Sequence, residues 1–178
     1  MMLYEGQKVR LRALERADLP HCVEWFKDPE VREFIFLDKP MSLAEEEKWY
    51  EEQLKRTNER VFAIETVRGK YIGNLGLLKI DTKNRHAEIG IFIGDKASWG
   101  KGYGTDAIKQ GLRYAFEELN LHKVYLTHFA NNARGRRCYE KCGFVQEGVL
   151  RDHAFKGGRY HDHPIMGVIN PVETRKRR

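Results

Sequence analysis

Three glycines lie within five residues, at Gly100, Gly102 and Gly104, and the stretch that follows them is typical of a helix. Glycine costs about 1 kcal/mol per residue inside a helix, so such a loop is expected where a ligand must approach the backbone closely. Free amides at the start of a helix, together with the helix dipole, form a site for anions. We therefore expect a phosphate to bind the backbone amides of Lys101, Gly102, Tyr103, Gly104 and Thr105.

The glycine loop fits neither of the two best-known phosphate signatures. No Gly-Lys-Ser/Thr sequence ends it, as the P-loop requires, and its third glycine is misplaced for the dinucleotide fingerprint. A tight strand-to-helix turn that binds no ligand therefore remains an alternative for the loop taken alone.

A second group of residues near the end of the chain combines histidines with aspartates. It consists of Asp152, His153, His161, Asp162 and His163. Two histidines that are two residues apart share one face of a strand and could both bind zinc. No compact spacing of further ligands accompanies them, so we expect no metal and assign this hairpin to the wall of a pocket.

The pattern of apolar residues predicts the elements that must position these groups. Strands are predicted at 8–14, 61–67, 71–80, 87–94, 123–129, 144–155 and 159–169. The first predicted helix is capped by Asp18 and ends near residue 27, and a short one begins at 28. A third begins at a Ser42–Glu45 capping box and ends near 56. The last two run from the glycine loop to Asn120 and over 133–142. This order indicates an α/β (α+β) mixed sheet and not a doubly wound fold.

Composition and charge limit the class of protein. The chain has 178 residues, which suits a single domain over residues 1–170 and a basic tail at 171–178. It lacks an apolar run of membrane-spanning length and a signal-like start, and its three cysteines suit a reducing compartment, so we expect a cytoplasmic protein without membrane contact. The net charge of +6 favours anionic partners. The segment 174–178, "TRKRR", is expected to be solvated, with an RNA contact as the alternative.

Two segments taken together carry a more specific signal. "WGKGYGTDA" (99–107) and "NNARGRRCYEKCGF" (131–144) resemble the GNAT superfamily of acetyl-CoA-dependent N-acetyltransferases. Within it they resemble the branch of the RimJ/RimL-type ribosomal-protein N-acetyltransferases and the bacterial spermidine acetyltransferases. The resemblance implies the GNAT fold, a mostly antiparallel sheet that is flanked by helices and splayed between two parallel strands.

The resemblance implies that acetyl-CoA binds in this splayed gap. Gly102 and Gly104 match the family's pyrophosphate loop, and Trp99 stands where the family usually has Gln or Arg. The pantetheine arm would lie between 88–93 and 125–130, against the backbone of Ile91, Phe92 and Ile93.

Two residues of the second segment are assigned to the cofactor in the same way. Asn132 would bind the pantetheine, cap the following helix, or do both. Gly135 stands where the family usually has a serine that bonds the cofactor.

The resemblance also assigns the proton transfers. Tyr139 would donate a proton to the leaving thiolate; without the resemblance it would be read as a core aromatic residue. Glu88 shares a strand face with Gly90 and Phe92 and is the candidate base for the amine. A structural carboxylate that pairs with a cation, with water accepting the proton, is the alternative for Glu88.

The acceptor pocket is the least diagnostic part of the sequence. Phe34 and Phe36 are expected to line it or to pack in the core. His128 and His153 are expected to contact the amine, and Asp38 would attract a cationic substrate.

We therefore expect an N-acetyltransferase that transfers acetyl directly within a ternary complex. Cys22, Cys138 and Cys142 show no nucleophile-and-base arrangement that would support a covalent acyl-enzyme. The expected acceptor is a protein or peptide α-amino group, with a polyamine or another small amine as the alternative. A non-catalytic module that senses acetyl-CoA and binds RNA or protein is the alternative outside enzymes. The chain could be a monomer or a homodimer, and nucleic acid is expected only through a ribosome.

Overall fold

The structure is a computed structural model and describes residues 4–37 and 39–172. The expectations for Asp38 and for the basic segment 174–178 concern residues outside these ranges.

Within the described ranges, eight strands form one sheet. They are β1 (Tyr4–Glu5), β2 (Val9–Ala13), β3 (Arg60–Thr66), β4 (Tyr71–Asp81), β5 (His86–Ile93), β6 (Lys123–Thr127), β7 (Val145–Lys156) and β8 (Arg159–Ile169). Their order across the sheet is β1-β2-β3-β4-β5-β6-β8-β7. Only β5 and β6 run parallel to each other, and every other neighbouring pair is antiparallel. The predicted mixed sheet is confirmed.

The helices lie between these strands. They are α1 (Leu19–Trp25), α2 (Pro29–Arg32), α3 (Leu43–Lys55), α4 (Tyr103–Glu117) and α5 (Ala133–Lys141), with single 3-10 turns at Arg16–Asp18 and Lys96–Ser98. The predicted capping box is present, because the Ser42 hydroxyl accepts from the Glu45 amide at 3.2 Å and the Glu45 carboxylate accepts from the Ser42 amide at 3.0 Å. Within the described ranges no helix has the length and apolar character to cross a bilayer.

Packing of α4 against the sheet fixes the glycine loop in space. Its inward face consists of Ala107, Ile108, Leu112 and Ala115, all buried in the main core. They pack with core residues of the central strands, among them Leu75 of β4 and Ile89 of β5. Burying a side chain of leucine size contributes about 1.5–3 kcal/mol, so the start of α4 is held firmly beside the end of β5.

Asp18 stands at the N-cap of α1, as predicted, but its side chain makes no capping hydrogen bond to that helix. Its carboxylate accepts two hydrogen bonds from the Arg12 guanidinium, both at 2.8 Å, and one from the Glu15 amide at 2.9 Å. Arg12 Nε also donates to Glu65 at 2.8 Å. Asp18 is therefore the centre of a mostly buried ion network between β2, β3 and the 3-10 turn before α1.

The parallel strands β5 and β6 separate soon after they meet. Their residues pair at only three positions, His86 with Lys123, Ala87 with Val124 and Glu88 with Tyr125. Beyond Glu88, β5 continues to Ile93 with β4 as its partner on the other side. The splayed gap implied by the family resemblance is therefore present.

Candidate active site

A cavity of about 540 Å³ fills the gap between β5 and β6. The first turn of α4, the inner face of α5 and the segment after α2 complete its wall. Of the sequence-predicted cofactor residues, Ile91, Phe92, Ile93, Gly102, Tyr103, Gly104, Thr105, Asn132 and Gly135 line it. Lys101 does not.

The glycine loop presents free amides to this cavity. Gly100 and Gly102 have φ of +73° and +82°, a left-handed region that strains other residues. The first backbone bond of α4 runs from the Asp106 amide to the Gly102 carbonyl at 3.0 Å. Within the described ranges, the amides from Gly102 to Thr105 have no acceptor, so four donors remain for an anion at the positive end of a helix.

Lys8 and Val9, at the start of β2, form hydrogen bonds that hold the glycine loop in place. The Asp106 carboxylate accepts from the backbone amides of Lys8 and Val9 at 2.7 and 3.0 Å. The Lys8 ammonium donates to the Lys101 carbonyl at 2.7 Å. These contacts fix the loop so that its amides are already oriented before a ligand arrives.

Trp99 packs beside the loop and contacts a cation from another helix. Its indole N–H donates to the Ile93 carbonyl at 2.8 Å, which fixes the ring at the end of β5. The Arg134 guanidinium lies 3.9 Å from the centroid of that ring.

Asn132 caps α5 and still has a donor to offer. Its Oδ1 accepts from the Gly135 amide at 2.9 Å, while its Nδ2 has no partner in the part of the chain that the structure describes. A Cβ at Gly135 would lie only 2.6 Å from that Nδ2, so the glycine makes room for the cap. Both roles considered for Asn132 are therefore geometrically compatible.

Tyr139 lies deep in the cavity wall. Its ring contacts those of His128 and Phe144, with centroids 5.7 and 6.3 Å away. Burial and the nearby Cys138 raise the pKa of Tyr139 to about 12. Its hydroxyl has no hydrogen-bond partner among the described residues, so it keeps its proton at neutral pH and is free to donate it.

The two helical cysteines join α5 to the first turn of α4. Cys138 Sγ lies 3.3 Å from Thr105 Oγ1, and Cys142 Sγ donates to the Thr105 carbonyl at 3.5 Å. Interaction between the two neighbouring thiols lowers the pKa of Cys138 to about 7 and, together with burial, raises the pKa of Cys142. The pair sets the distance between α5 and the glycine loop.

Glu88 faces the cavity and is paired with a lysine. Its Oε2 lies 2.6 Å from Lys79 Nζ, and this hydrogen bond raises the pKa of Lys79. A Cβ at Gly90 would meet nothing within 4 Å, so open space adjoins the carboxylate, as the sequence predicts. The ion pair is the structural alternative considered for Glu88, yet 71% of the Lys79 side chain is exposed and can move away.

Aromatic rings form the side of the cavity expected to hold the acceptor. Phe34 and Phe36 both line it and contact Phe129, with centroids 6.1 and 5.1 Å away. His128 also lines it, and its Nδ1 donates to the Phe129 carbonyl at 2.8 Å. His153 lies outside the wall, where its ring packs 5.3 Å from that of His163. Among the described residues no three potential ligands converge as a metal site.

Lys156 connects two segments on the acceptor side of the cavity. Lys156 Nζ, near the end of β7, donates to the carbonyls of Arg32 and Ile35 at 2.6 and 2.7 Å. These hydrogen bonds connect the β7–β8 hairpin to the segment that carries Phe34 and Phe36. Sequence reasoning missed Lys156, Lys79 and Arg134, because no local pattern marks their distant partners.

The cavity suits acetyl-CoA in the chemistry of its donors. Four free amides fit a pyrophosphate, and the unpaired edge of β5 fits the amides of a pantetheine arm. A protonated phenol at Tyr139 fits a departing thiolate.

Comparison with known proteins agrees with this fit. A family model described as an acetyltransferase (GNAT) domain matches residues 8–145. Spermidine N(1)-acetyltransferase of Vibrio cholerae is 36% identical over 92% of this chain and 94% of its own length. The Escherichia coli enzyme of the same name is 32% identical over 92% of this chain and 87% of its own. A putative ribosomal N-acetyltransferase of Bacillus subtilis is 39% identical, over 53% of this chain and 51% of its own.

A solved structure extends the similarity to three dimensions. The crystal structure of the V. cholerae spermidine N-acetyltransferase in complex with CoA and spermine superposes with a TM-score of 0.86. It is 34% identical and covers 92% of this chain and 96% of its own. Together with the free amides and the protonated Tyr139, these matches show that the chain belongs to the GNAT acetyltransferases and is an acetyl-CoA-dependent N-acetyltransferase.

Proposed function

We propose that this enzyme acetylates a primary amine of a polyamine, with spermidine and spermine as the first candidates. The V. cholerae and E. coli relatives described as spermidine N(1)-acetyltransferases match over nine-tenths of the chain, and the other relatives that match as far are described only as uncharacterized N-acetyltransferases. The ribosomal relative matches over about half. This difference favours the polyamine alternative over the protein α-amino group that the sequence placed first.

The ion pair of Glu88 carries the proposal. Lys79 Nζ is a primary alkylammonium, the same chemical group as the end of a polyamine, and it lies 2.6 Å from a carboxylate in the cavity wall. A substrate ammonium that replaces it would meet the same hydrogen-bond acceptor. Charge-assisted bonds of this kind are stronger than neutral ones.

The rest of the acceptor side suits a long, flexible cation. Phe34, Ile35 and Phe36 offer apolar surface to the hydrocarbon segments between the amines. Glu30 adds a second carboxylate to the wall, which pairs with Lys96 at 2.7 Å. The net charge of the whole chain therefore matters less for a polyamine than the local charge of this wall.

The chain's own residues then divide the proton transfers. When bound, acetyl-CoA supplies a thioester that an amine can attack. Glu88 holds the ammonium and is the acceptor for its proton. Tyr139 Oη keeps its proton at neutral pH and donates it to the leaving sulfur.

Thiol release with a panel of acceptors tests the proposal. We expect turnover of spermidine and spermine and little turnover of peptides with free N-termini or of aminoglycosides. Preferred turnover of the peptides would overturn the polyamine assignment and support the ribosomal-protein type.

Two opposed variants at the ion pair sharpen the test. Glu88→Gln should raise KM for spermidine about tenfold or more, since a charged hydrogen bond is lost, with KM for acetyl-CoA unchanged. Lys79→Met should lower KM for spermidine by about two- to fivefold, because it removes an exposed competitor for Glu88. An increase in KM for Lys79→Met would contradict displacement by substrate.

A further inference from the structure

One face of α5 carries cations into the cavity without carboxylate partners. Arg134, Arg137 and Lys141 follow a spacing of three and four residues, which places them on the same side of a helix, and all three line the cavity. Among the described residues none of them forms an ion pair. Arg136 on the same helix lies outside the wall and pairs with Glu140 at 2.9 Å.

This cationic face, defined as Arg134, Arg137 and Lys141, begins beside the glycine loop. Between its members lies Cys138, whose Sγ is 3.3 Å from Thr105 Oγ1 in the first turn of α4. The three residues span about two helical turns, or roughly 10 Å. The face and the loop amides therefore line the same cavity.

Trp99 holds the first member of the face. Its indole is fixed by the 2.8 Å bond to the Ile93 carbonyl, and the Arg134 guanidinium is 3.9 Å from its centroid. Stacking of this kind leaves the edge N–H groups of arginine free for planar recognition of phosphate. Arg134 of α5 therefore places a cation beside Trp99, which is the loop position where the family usually has Gln or Arg.

Coenzyme A has two separate anionic groups, the pyrophosphate and the phosphate on the ribose 3′-oxygen. The four free amides from Gly102 to Thr105 suit the pyrophosphate. The 3′-phosphate lies one ribose beyond it and carries up to two charges, which backbone amides already in use cannot satisfy. We propose that the cationic face binds this 3′-phosphate, with Trp99 positioning Arg134.

The expected consequence is a preference for coenzyme A over carriers that present the same pantetheine without that phosphate. The inference concerns the cofactor alone and does not depend on which amine is the acceptor. It is tested by binding measurements without any amine, so its failure is distinct from failure of the polyamine proposal.

Calorimetric titration with CoA and with dephospho-CoA gives the direct test. We expect the wild-type protein to bind CoA at least about tenfold more tightly, as charge-assisted bonds to a phosphate would produce. Arg137→Ala/Lys141→Ala should remove most of this preference by weakening CoA about tenfold. Its binding of dephospho-CoA should stay the same, which also shows that the variant is folded. The matched control Arg136→Ala should change neither affinity.

Two outcomes overturn the proposal. Equal weakening of both ligands would mean that the cations act on the pyrophosphate or through a general field. Unchanged CoA binding would mean that they are solvated surface charges.

A double-mutant cycle tests the role given to Trp99. Trp99→Ala should reduce the preference for CoA by about two- to tenfold in the wild-type background and have little further effect when Arg134 is already alanine. Equal losses in both backgrounds would leave Trp99 as a packing residue only.

Discussion

Polar groups in the N-terminal part of the sheet are paired with one another, whereas several of those in the cavity between β5 and β6 are unpaired. Near β2, Arg12, Asp18 and Glu65 satisfy one another through bonds of 2.8 Å. In the cavity, the amides from Gly102 to Thr105, the Tyr139 hydroxyl and Asn132 Nδ2 have no partner among the described residues. These groups are exposed or half-buried and open to the cavity, so a ligand can bind them without breaking a bond within the protein.

We infer from this difference that the Arg12 network stabilises the fold and that the unpaired cavity groups are available to bind a ligand. Substitutions in the Arg12 network should change stability and leave the folded enzyme's kinetics intact. Substitutions in the cavity should change kinetics with little change in stability.

Tyr139→Phe should have the largest effect. Loss of the proton donor should lower kcat by about 100- to 1000-fold, with KM for acetyl-CoA unchanged and the free energy of unfolding little altered. Since burial raises the pKa of Tyr139 to about 12, the wild-type enzyme should not lose this donor until the pH nears that value. Steady-state kinetics measure the effect.

The matched control for this variant is Tyr114→Phe. Tyr114 contacts Tyr4 and Phe62 away from the cavity, so it should leave kcat unchanged. Full activity of Tyr139→Phe would contradict the assignment of the proton donor.

Asp18→Asn should have the next largest effect, and on stability. It leaves the buried Arg12 with a poorer partner, and we expect a loss of about 2–3 kcal/mol in the free energy of unfolding. Urea denaturation measures it. The exposed pair of Glu24 and Lys27 supplies the control, because Glu24→Gln should cost less than about 1 kcal/mol.

The effect of Asp18 should depend on pH in a defined direction. Burial alone would raise the pKa of Asp18, but the hydrogen bonds from Arg12 and from the Glu15 amide outweigh it, so the pKa is lowered. Its contribution is therefore present above the unfolded-state pKa of about 3.9 and lost as the pH falls through the lower folded-state value. The stability difference between wild type and Asp18→Asn should shrink in that acidic range, and a constant difference would argue against the ion network.

Gly102→Ala should have a moderate effect that combines both sides. A φ of +82° costs an alanine about 1–2 kcal/mol, and a shifted loop should raise KM for acetyl-CoA. Gly148→Ala is the control, since Gly148 has neither a positive φ nor a neighbour within 4 Å of its absent Cβ. Thermal unfolding and cofactor titration report the two effects separately.

Ser42→Ala should have the smallest effect. It removes one bond of an exposed capping box on α3 and should lower stability by about 1 kcal/mol. Kinetics should be unchanged, because α3 does not line the cavity. A change in kcat would show that α3 influences the site.

Local signals explain why much of the fold and the geometry of the glycine loop were predictable. The glycine loop, the Ser42 cap and the left-handed Asn120 after α4 each depend on a few adjacent residues. The placement of Tyr139 and Asn132 in one wall came from the family resemblance and not from periodicity.

Long-range contacts explain what the sequence did not predict. Lys79 lies where the β4–β5 register shifts, with a φ of +50°, and this irregularity lets it pair with Glu88. Lys156 bonds carbonyls more than a hundred residues earlier. The Asp18 carboxylate accepts hydrogen bonds from Arg12 and none from the helix that follows it. No local pattern encodes such pairings, because they depend on how distant elements meet.

The short pairing of β5 with β6 links the stability of the enzyme to the binding of its cofactor. Only three residue pairs join these strands, so a ligand in the gap acts as a missing piece of sheet. Ligand at one hundred times its Kd adds about 2.7 kcal/mol to the folded state. We therefore expect the protein to resist thermal unfolding and proteolysis better when acetyl-CoA or CoA is bound than when both are absent.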